Sequence, residues 1–410
     1  MTAKGRKILL IAGEASGDLL GADLMAAIRE RIPEVSFMGI GGPGMRSQGM
    51  TGPFDSNHLS VIGVVEVVRR LPDLLRAFDY LLRLMDRERP DLVVTIDLPD
   101  FNFLVARRAR ARDIPVLHYV SPQVWAWRRG RAKRLHRFID HLLLLFPFEQ
   151  AIYAETPLPV TFVGHPLVGR ALPWSMRPEG AAGRARVRQS LGIGTDESCV
   201  VLLPGSRRGE IGRLFGPMIR SCFLLRRTYP DMRFVVACAP TVSEDELERH
   251  WPEDIDPTFK REVPIRSGAT YDLVASADAA LVTSGTATLE TALIGTPQVV
   301  CYRVSPMTYP IGRLLVRIPF FSLVNLVAGW AVVRERLQHE VVPEILCADL
   351  DGVLHDPGIR MKIKEGYGVV REKLTRSATD PFTVVEAMLE KRSGAYRVPE
   401  NDNHSLAGDA

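Results

Sequence analysis

The chain has 410 residues, 46% hydrophobic and 24% charged, more than one ordinary domain needs and enough apolar surface for substantial cores. Its 52 basic and 48 acidic residues leave +4, too slight for a dedicated nucleic-acid binder, so any basic function is local. The five cysteines, Cys199, Cys222, Cys238, Cys301 and Cys347, form no C-x-x-C pair and read as small core residues in a reducing compartment.

From the N-terminus, short apolar runs at 7–12, 92–96 and 116–119 alternate with amphipathic stretches at 18–31 and 103–112. This is the rhythm of βαβ units, which calls for a parallel sheet covered by helices on both faces, with ligands at the carboxyl ends of its strands. The run at 8–12 is too short for a signal-peptide core, and even 142–148 is broken by Pro147, so a cytoplasmic protein that does not span a membrane is expected.

The first strand leads into Gly13-Glu14-Ala15-Ser16-Gly17-Asp18, a turn opening a helix, where backbone amides, Glu14 and Ser16 would face a crevice. Ser16 and Asp18 are equally residues that cap helices for local reasons. Residues 61–75 carry apolar side chains at most positions instead of one helical stripe, which suits either a core or a surface that meets lipid or acyl chains. Strand 92–96 delivers Asp97, followed by Leu98-Pro99-Asp100-Phe101-Asn102. A partly desolvated Asp at that edge can take a proton from an attacking hydroxyl; the alternative is a residue that fixes the turn or caps the next helix. Residues 125–137 couple Trp125 and Trp127 to a dense run of Arg and Lys, a composition that attracts anionic headgroups but also suits a solvated basic helix. His118 and His165 lack metal-ligand spacing and read as structural.

A Pro-, Gly- and Arg-rich connector at 173–194 precedes a second α/β series with strands expected at 199–203, 233–237, 279–283 and 298–302. Pro204-Gly205-Ser206-Arg207-Arg208-Gly209-Glu210 joins a strand to a helix, where Gly205 permits close approach, helix-start amides face an anion and Arg207 offers a forked donor to phosphate. A plain strand-to-helix turn with a surface arginine is the alternative. Ser284-Gly285-Thr286-Ala287-Thr288-Leu289-Glu290 is a second such mouth, with Glu290 one turn beyond Thr286, placed either to accept hydrogen bonds from ribose hydroxyls or as a capping carboxylate. The P-loop lysine and the full dinucleotide fingerprint are both missing, which counts against ATPase and dehydrogenase chemistry. The architecture expected is two doubly wound α/β domains facing a cleft, with a helical pattern beyond Glu340 and a polar, disordered end.

Taken in order, the Gly13–Asp18 turn, Ile96-Asp97-Leu98-Pro99-Asp100-Phe101-Asn102, His118-Tyr119-Val120-Ser121-Pro122-Gln123-Val124-Trp125-Ala126-Trp127, Pro204-Gly205-Ser206-Arg207, Ser284 to Glu290 and Ser322-Leu323-Val324-Asn325-Leu326-Val327-Ala328-Gly329 resemble the lipid-A-disaccharide synthase family. The resemblance covers nearly the whole chain, and several motifs in fixed order are more specific than any one. It implies a GT-B fold: a Rossmann-like acceptor and membrane-facing domain over 1–172, a Rossmann-like UDP-sugar domain over 173–345, helices at 346–393 crossing back to the N-terminal domain, and a disordered tail at 394–410. It also implies an inverting, metal-independent transfer without cofactor: 2,3-diacylglucosamine passes from its UDP derivative to 2,3-diacylglucosamine 1-phosphate, giving a β-1,6-linked disaccharide phosphate and UDP.

By the same resemblance Asp97 is the first candidate for the base and Glu14 the second, while Ser16, Gly17, Asp100 and Asn102 line the acceptor site or cleft. Gly205, Ser206, Arg207, Glu210, Ser284, Gly285, Thr286, Glu290, Asn325, Glu335 and Gln338 are expected to bind the donor, the last three alternatively holding the cleft. Val65, Val67, Val68, Leu71, Leu74 and Leu75 are expected to meet acyl chains at the cytoplasmic surface of the inner membrane, to which the enzyme is peripherally attached, and the resemblance allows a homodimer. Nucleic acid is not an expected partner. Two departures stand out: Val324 replaces a usual proline, and Trp330 stands where an arginine commonly follows Ala-Gly, with Arg334 a nearby substitute for its phosphate contact. Other readings are a different GT-B UDP-sugar transferase or epimerase, for which the apolar segment has no use, and a non-catalytic lipid- or nucleotide-binding protein, which would tolerate loss of Asp97.

Overall fold

The computed structural model describes residues 5–55, 64–122, 129–304, 318–376 and 378–392. These fall into two units, one made of the residues up to Gly164 together with those after Arg376, the other of His165–Arg376.

In the first unit, β1 (Lys7–Ala12), β2 (Ser36–Ile40), β3 (Leu92–Ile96), β4 (Val116–Tyr119), β5 (His141–Leu144) and β6 (Val160–Phe162) form a parallel sheet in the order β2-β1-β3-β4-β5-β6. The strands are nearly continuous apolar runs because both faces are covered. Leu9, Ile11, Val93 and Val116 pack under Ala77, Leu81 and Met85 of the helix Val64–Glu88 and Phe103 and Ala106 of the helix Pro99–Arg110. On the other face Ile8, Leu10, Val94 and Ile96 meet Leu20, Leu24 and Ile28 of the helix Ala15–Arg31. That face is completed from the far end of the chain by Phe382, Val384, Val385 and Leu389 of the helix Pro381–Arg392. The return is pinned by Thr379 N–H donating to Phe162 O at 3.0 Å and by Arg31, which pairs with Asp380 at 2.6 Å.

The second unit is a parallel sheet of β7 (Cys199–Leu203), β8 (Arg233–Cys238), β9 (Ile265–Ser267), β10 (Ala279–Thr283), β11 (Gln298–Tyr302) and β12 (Arg334–Leu337) in the order β12-β11-β10-β7-β8-β9. The edge strands β9 and β12 escape a sequence reading because an edge needs little apolar character; β12 reads Arg-Glu-Arg-Leu. Ile211, Leu214, Phe215 and Met218 of the long helix Arg208–Thr228 are buried.

The division falls at Gly164/His165, not at 172/173, because residues 165–177 are tied into the second unit: Trp174 Nε1 donates to Ser276 Oγ (3.3 Å) and Arg177 pairs with Asp272 (2.5 Å). The helices Pro343–His355 and Pro357–Thr375 also belong to the second unit, so within the described residues only the last helix returns. The expected tail at 394–410 lies outside the described residues.

Candidate active site

Each sheet reverses its winding at one place, and the motifs flank those places. In the first unit the reversal lies between β1 and β3, whose carboxyl ends carry Glu14 and Asp97; in the second it lies between β7 and β10, which carry the Gly205 and Ser284 turns. At such a switch point adjacent connections depart to opposite faces and open a crevice, the usual ligand site of an open parallel sheet.

Asp97 and Leu98 stand in left-handed conformation (φ 50° and 45°), as does Val120 (φ 79°) at the end of neighbouring β4. Non-glycine residues there store about 1–3 kcal/mol each, a cost met where the surroundings over-determine them and concentrated at functional sites. The main determinant is Asn102: its Nδ2 donates to the carbonyls of Ile96 (3.1 Å) and Asp97 (2.7 Å), and its backbone N–H to that of Leu98 (3.0 Å). Asn102 is fully buried, so its side chain holds the turn from behind, and it is not a group lining the acceptor site. Asp97 is partly exposed, and burial raises its carboxyl pKa from the ordinary value, against the pull of the Leu98 backbone hydrogen bond. Asp100 and Ser16 are exposed at their helix starts; Gly17 is buried, where a Cβ would lie 3.4 Å from that of Ala12.

The helix Ala15–Arg31 is entered through Glu14, exposed and extended, not capped by Ser16 or Asp18. The sequence reading missed what Asp18 does: its buried carboxylate accepts N–H bonds from Gly42 (2.8 Å), Gly44 (2.8 Å) and Met45 (2.9 Å), fixing the turn after β2. His118 sits in the core with Nδ1 2.7 Å from Thr95 Oγ1, and burial holds its pKa down at about 3, so it is a neutral structural residue. His165 is likewise held down, at about 4, by burial.

In the second unit Gly205 (φ 110°) ends β7, and a Cβ there would come within 2.7 Å of Glu210 Oε2 and 3.5 Å of Thr283 Cγ2. The two mouths expected from sequence are therefore one: the turn after β7 abuts the end of β10. Ser206 and Arg207 are exposed at the start of the helix Arg208–Thr228, with the Arg207 guanidinium 3.5 Å from Glu210. Gly285 and Thr286 are exposed at the start of the helix Thr286–Ile294, and Ser284 Oγ donates to Phe321 O at 2.8 Å. Glu290, one turn in, accepts from the Tyr271 hydroxyl at 2.9 Å, a partner that no sequence signal marks. An Arg beside a glycine turn, helix-start amides and a set-back carboxylate can hold a diphosphate and the sugar attached to it.

Three residues expected to bind the donor or to hold the cleft make hydrogen bonds within the second unit. Asn325, buried, donates from Nδ2 to Val333 O (2.9 Å) and Glu335 Oε1 (2.8 Å) and accepts at Oδ1 from the N–H groups of Val332 and Val333 (2.8 and 3.0 Å). That exhausts an amide's capacity, so no atom of it is left for a nucleotide. Glu335 accepts from the N–H groups of Phe321 (2.7 Å) and Ser322 (2.9 Å), and Gln338 Oε1 from that of Val304 (2.7 Å). All three hold the loops behind β11 and β12. Arg334, the nearby arginine, and Arg336 both pair with buried Asp349, at 2.5 and 2.6 Å. Trp330 instead lies under Lys362, 5.5 Å from ring centroid to Nζ, while Val324 is buried.

Of the expected acyl contacts, Leu71 and Leu75 are 47% and 59% exposed, one helical turn apart, and Leu74 packs partly against the core. The side chains of Val65, Val67 and Val68, like Trp125 and Trp127, lie outside the described residues. Farther along the basic run Lys133, Arg134 and Arg137 are exposed while Ala132 and Leu135 are buried. Among the described residues no helix is long and apolar enough to cross a membrane.

Solved structures share this architecture at low sequence identity. The UDP-GlcNAc 2-epimerase from Neisseria meningitidis, bound to UDP-GlcNAc, aligns with a TM-score of 0.62 at 13% identity over 94% of this chain and 100% of its own. MurG of Acinetobacter baumannii gives 0.52 at 12% identity over 94% and 99%. The fold is GT-B. A lipid-A-disaccharide synthase of Geobacter metallireducens is 40% identical over 373 residues, 91% of this chain and 94% of the relative. The family model described as lipid-A-disaccharide synthetase matches residues 8–369, spanning both switch points, and the chain belongs to that family.

Proposed function

We propose that Asp97 is the base of this glycosyltransferase and that Arg207, with the helix-start amides beside Gly205 and Thr286, holds the diphosphate of the UDP-sugar donor. The family's reaction moves 2,3-diacylglucosamine from UDP to 2,3-diacylglucosamine 1-phosphate. The acceptor hydroxyl gives its proton to Asp97 as its oxygen attacks the anomeric carbon; the bond from that carbon to the UDP oxygen breaks, and UDP leaves with the electron pair. A single displacement inverts the anomeric centre. Charge growing on UDP meets donors already in place, which is how such sites lower a barrier, so the transfer needs neither metal nor cofactor. The observation that carries this reading is the strained, Asn102-held turn presenting a raised-pKa carboxyl at a switch point. The epimerase of the same fold binds UDP-GlcNAc, which supports a UDP-sugar as the donor.

The enzyme works at the cytoplasmic surface of the inner membrane without spanning it, Leu71 and Leu75 meeting acyl chains while Lys133, Arg134 and Arg137 face anionic headgroups. A homodimer is part of the same reading and is checked by sedimentation in detergent.

Purified protein is assayed by mass spectrometry with both acylated substrates in detergent plus chelator. Disaccharide phosphate and UDP are the expected products. No product with chelator, restored by a divalent ion, would overturn metal independence. Asp97→Asn should abolish most turnover and leave UDP affinity nearly intact; equal loss of both would make Asp97 structural. Arg207→Ala should weaken UDP binding, and unchanged affinity would remove it from the diphosphate site.

A further inference from the structure

We propose that Tyr271 is a positioning residue for nucleotide recognition: its hydroxyl occupies one carboxylate oxygen of Glu290 and so turns the other toward the ribose hydroxyls of the bound donor. The inference rests on the reading of Glu290 as the ribose acceptor and names what aims it.

Tyr271 enters from a different element. It lies in the first turn of the helix Thr270–Ser276, just beyond the edge strand β9, while Glu290 belongs to the helix that opens the nucleotide mouth. The hydroxyl reaches Glu290 Oε1 at 2.9 Å. A hydroxyl donating to a carboxylate is among the stronger neutral-donor bonds, and it fixes the carboxylate plane. Oε1 is thereby engaged, and Oε2 keeps the greater capacity for a ligand.

Tyr271 is itself held. Arg177, stacked over Trp174 (4.4 Å from guanidinium carbon to ring centroid), donates to the carbonyls of Leu172 (2.8 Å) and Tyr271 (3.2 Å) and to Asp272 (2.5 Å). One buried-edge guanidinium thus ties the connector to the residue whose side chain aims Glu290. The positive charge of Arg170 also bears on the Tyr271 hydroxyl. A recognition group whose rotamer is set by a second layer, itself fixed to a third, is the arrangement that gives discrimination, since a carboxylate free to swing would accept water as readily as ribose.

Ribose recognition should appear as a preference for UDP over 2′,3′-dideoxy-UDP. Titration calorimetry of the full-length protein gives both affinities for wild type, Glu290→Gln and Tyr271→Phe, with cooperative thermal unfolding confirming that each variant is folded. Wild type should prefer UDP by roughly 10-fold or more, the size of a lost hydrogen bond to a charged group. Glu290→Gln should bring the ratio near one, and Tyr271→Phe should cut it at least ~3-fold through loss of UDP affinity alone, as expected when one orienting bond is removed. If Glu290→Gln collapses the preference and Tyr271→Phe keeps the wild-type ratio, or weakens both ligands equally, the inference about Tyr271 is wrong and the Glu290 reading stands. If wild type shows no preference, or Glu290→Gln retains it, the Glu290 reading falls and this inference with it. Should Tyr271→Phe not fold, Tyr271→His, which keeps a ring donor, is compared with Tyr271→Leu in the same titration, the leucine variant being expected to lose the larger share of the preference.

Discussion

The carbonyl oxygen of Asp97 lies 2.7 Å from Nδ2 of Asn102, a fully buried amide that also holds the carbonyl of Ile96. The Oδ1 of Asn102 has no hydrogen-bond partner among the described residues, so the side chain acts on this turn through its nitrogen. Its two bonds keep a strand end in a conformation that Asp and Leu avoid when unconstrained.

Asn102→Asp keeps the shape but replaces the donor by an acceptor facing two carbonyls. The expected outcome is a loss of about 1–3 kcal/mol of stability in urea titration and a fall in kcat of roughly 10- to 100-fold, since small displacements of a base are costly. UDP affinity should stay within about twofold, because the change lies in the first unit; an equal loss of UDP binding would show that the substitution disrupts more than the turn.

The base must be ionised to take a proton, and burial raises the pKa of Asp97. The rate should therefore fall as pH drops through that raised pKa, giving an acid limb in kcat/KM above the ordinary Asp value of about 4. Profiles at subsaturating substrate, in detergent at constant ionic strength, check this. A limb at or below that value would mean that Asp97 is not the group being titrated.

Stability should also decline with acid, for a separate reason. His118 is held near 3, and His141 and His165 near 4, by burial, whereas in the unfolded chain each titrates near about 6.5. Between those values the unfolded state binds more protons, so stability is full above about pH 6.5 and is lost as pH falls, by at most about 1.4 kcal/mol per pH unit for each histidine. Urea midpoints at pH 7.5, 6 and 5 should fall in that order, and His118→Gln should flatten the trend. An unchanged slope in the variant would show that His118 is not excluded from protonation.

Leu71 and Leu75 share an exposed face of the helix Val64–Glu88. Replacing both by Glu should lower co-sedimentation with anionic vesicles by roughly 10-fold or more, since each buried leucine contributes about 1.5–3 kcal/mol. Turnover on detergent-dispersed substrate should fall less than turnover on vesicles; equal falls would place the two leucines in the core of the enzyme's function and not at a lipid surface.

The interior strands other than β5 were legible in the sequence because a sheet buried on both faces needs continuous apolar runs, as at β1, β3, β7 and β10. The turns that follow β1, β7 and β10 were legible as helix starts, because glycine and small polar residues after an apolar run are a local signal. The place of Asp97 and Arg207 after such strands could likewise be read; their roles are proposed above. The edge strands β9 and β12 were not readable, since an edge carries no apolar signature. Tertiary structure alone decided which turns meet: strand order is set by packing of helices from remote parts of the chain, and it brings Gly205 against Thr283 and Asp97 beside the β1 turn. It also decided that Asn325, Glu335 and Gln338, polar residues that suit a ligand, each reach backbone groups of nearby loops, because buried N–H and C=O groups in irregular segments must find partners. Residue type limits what a side chain can bind; only the packed chain determines whether its capacity is already used.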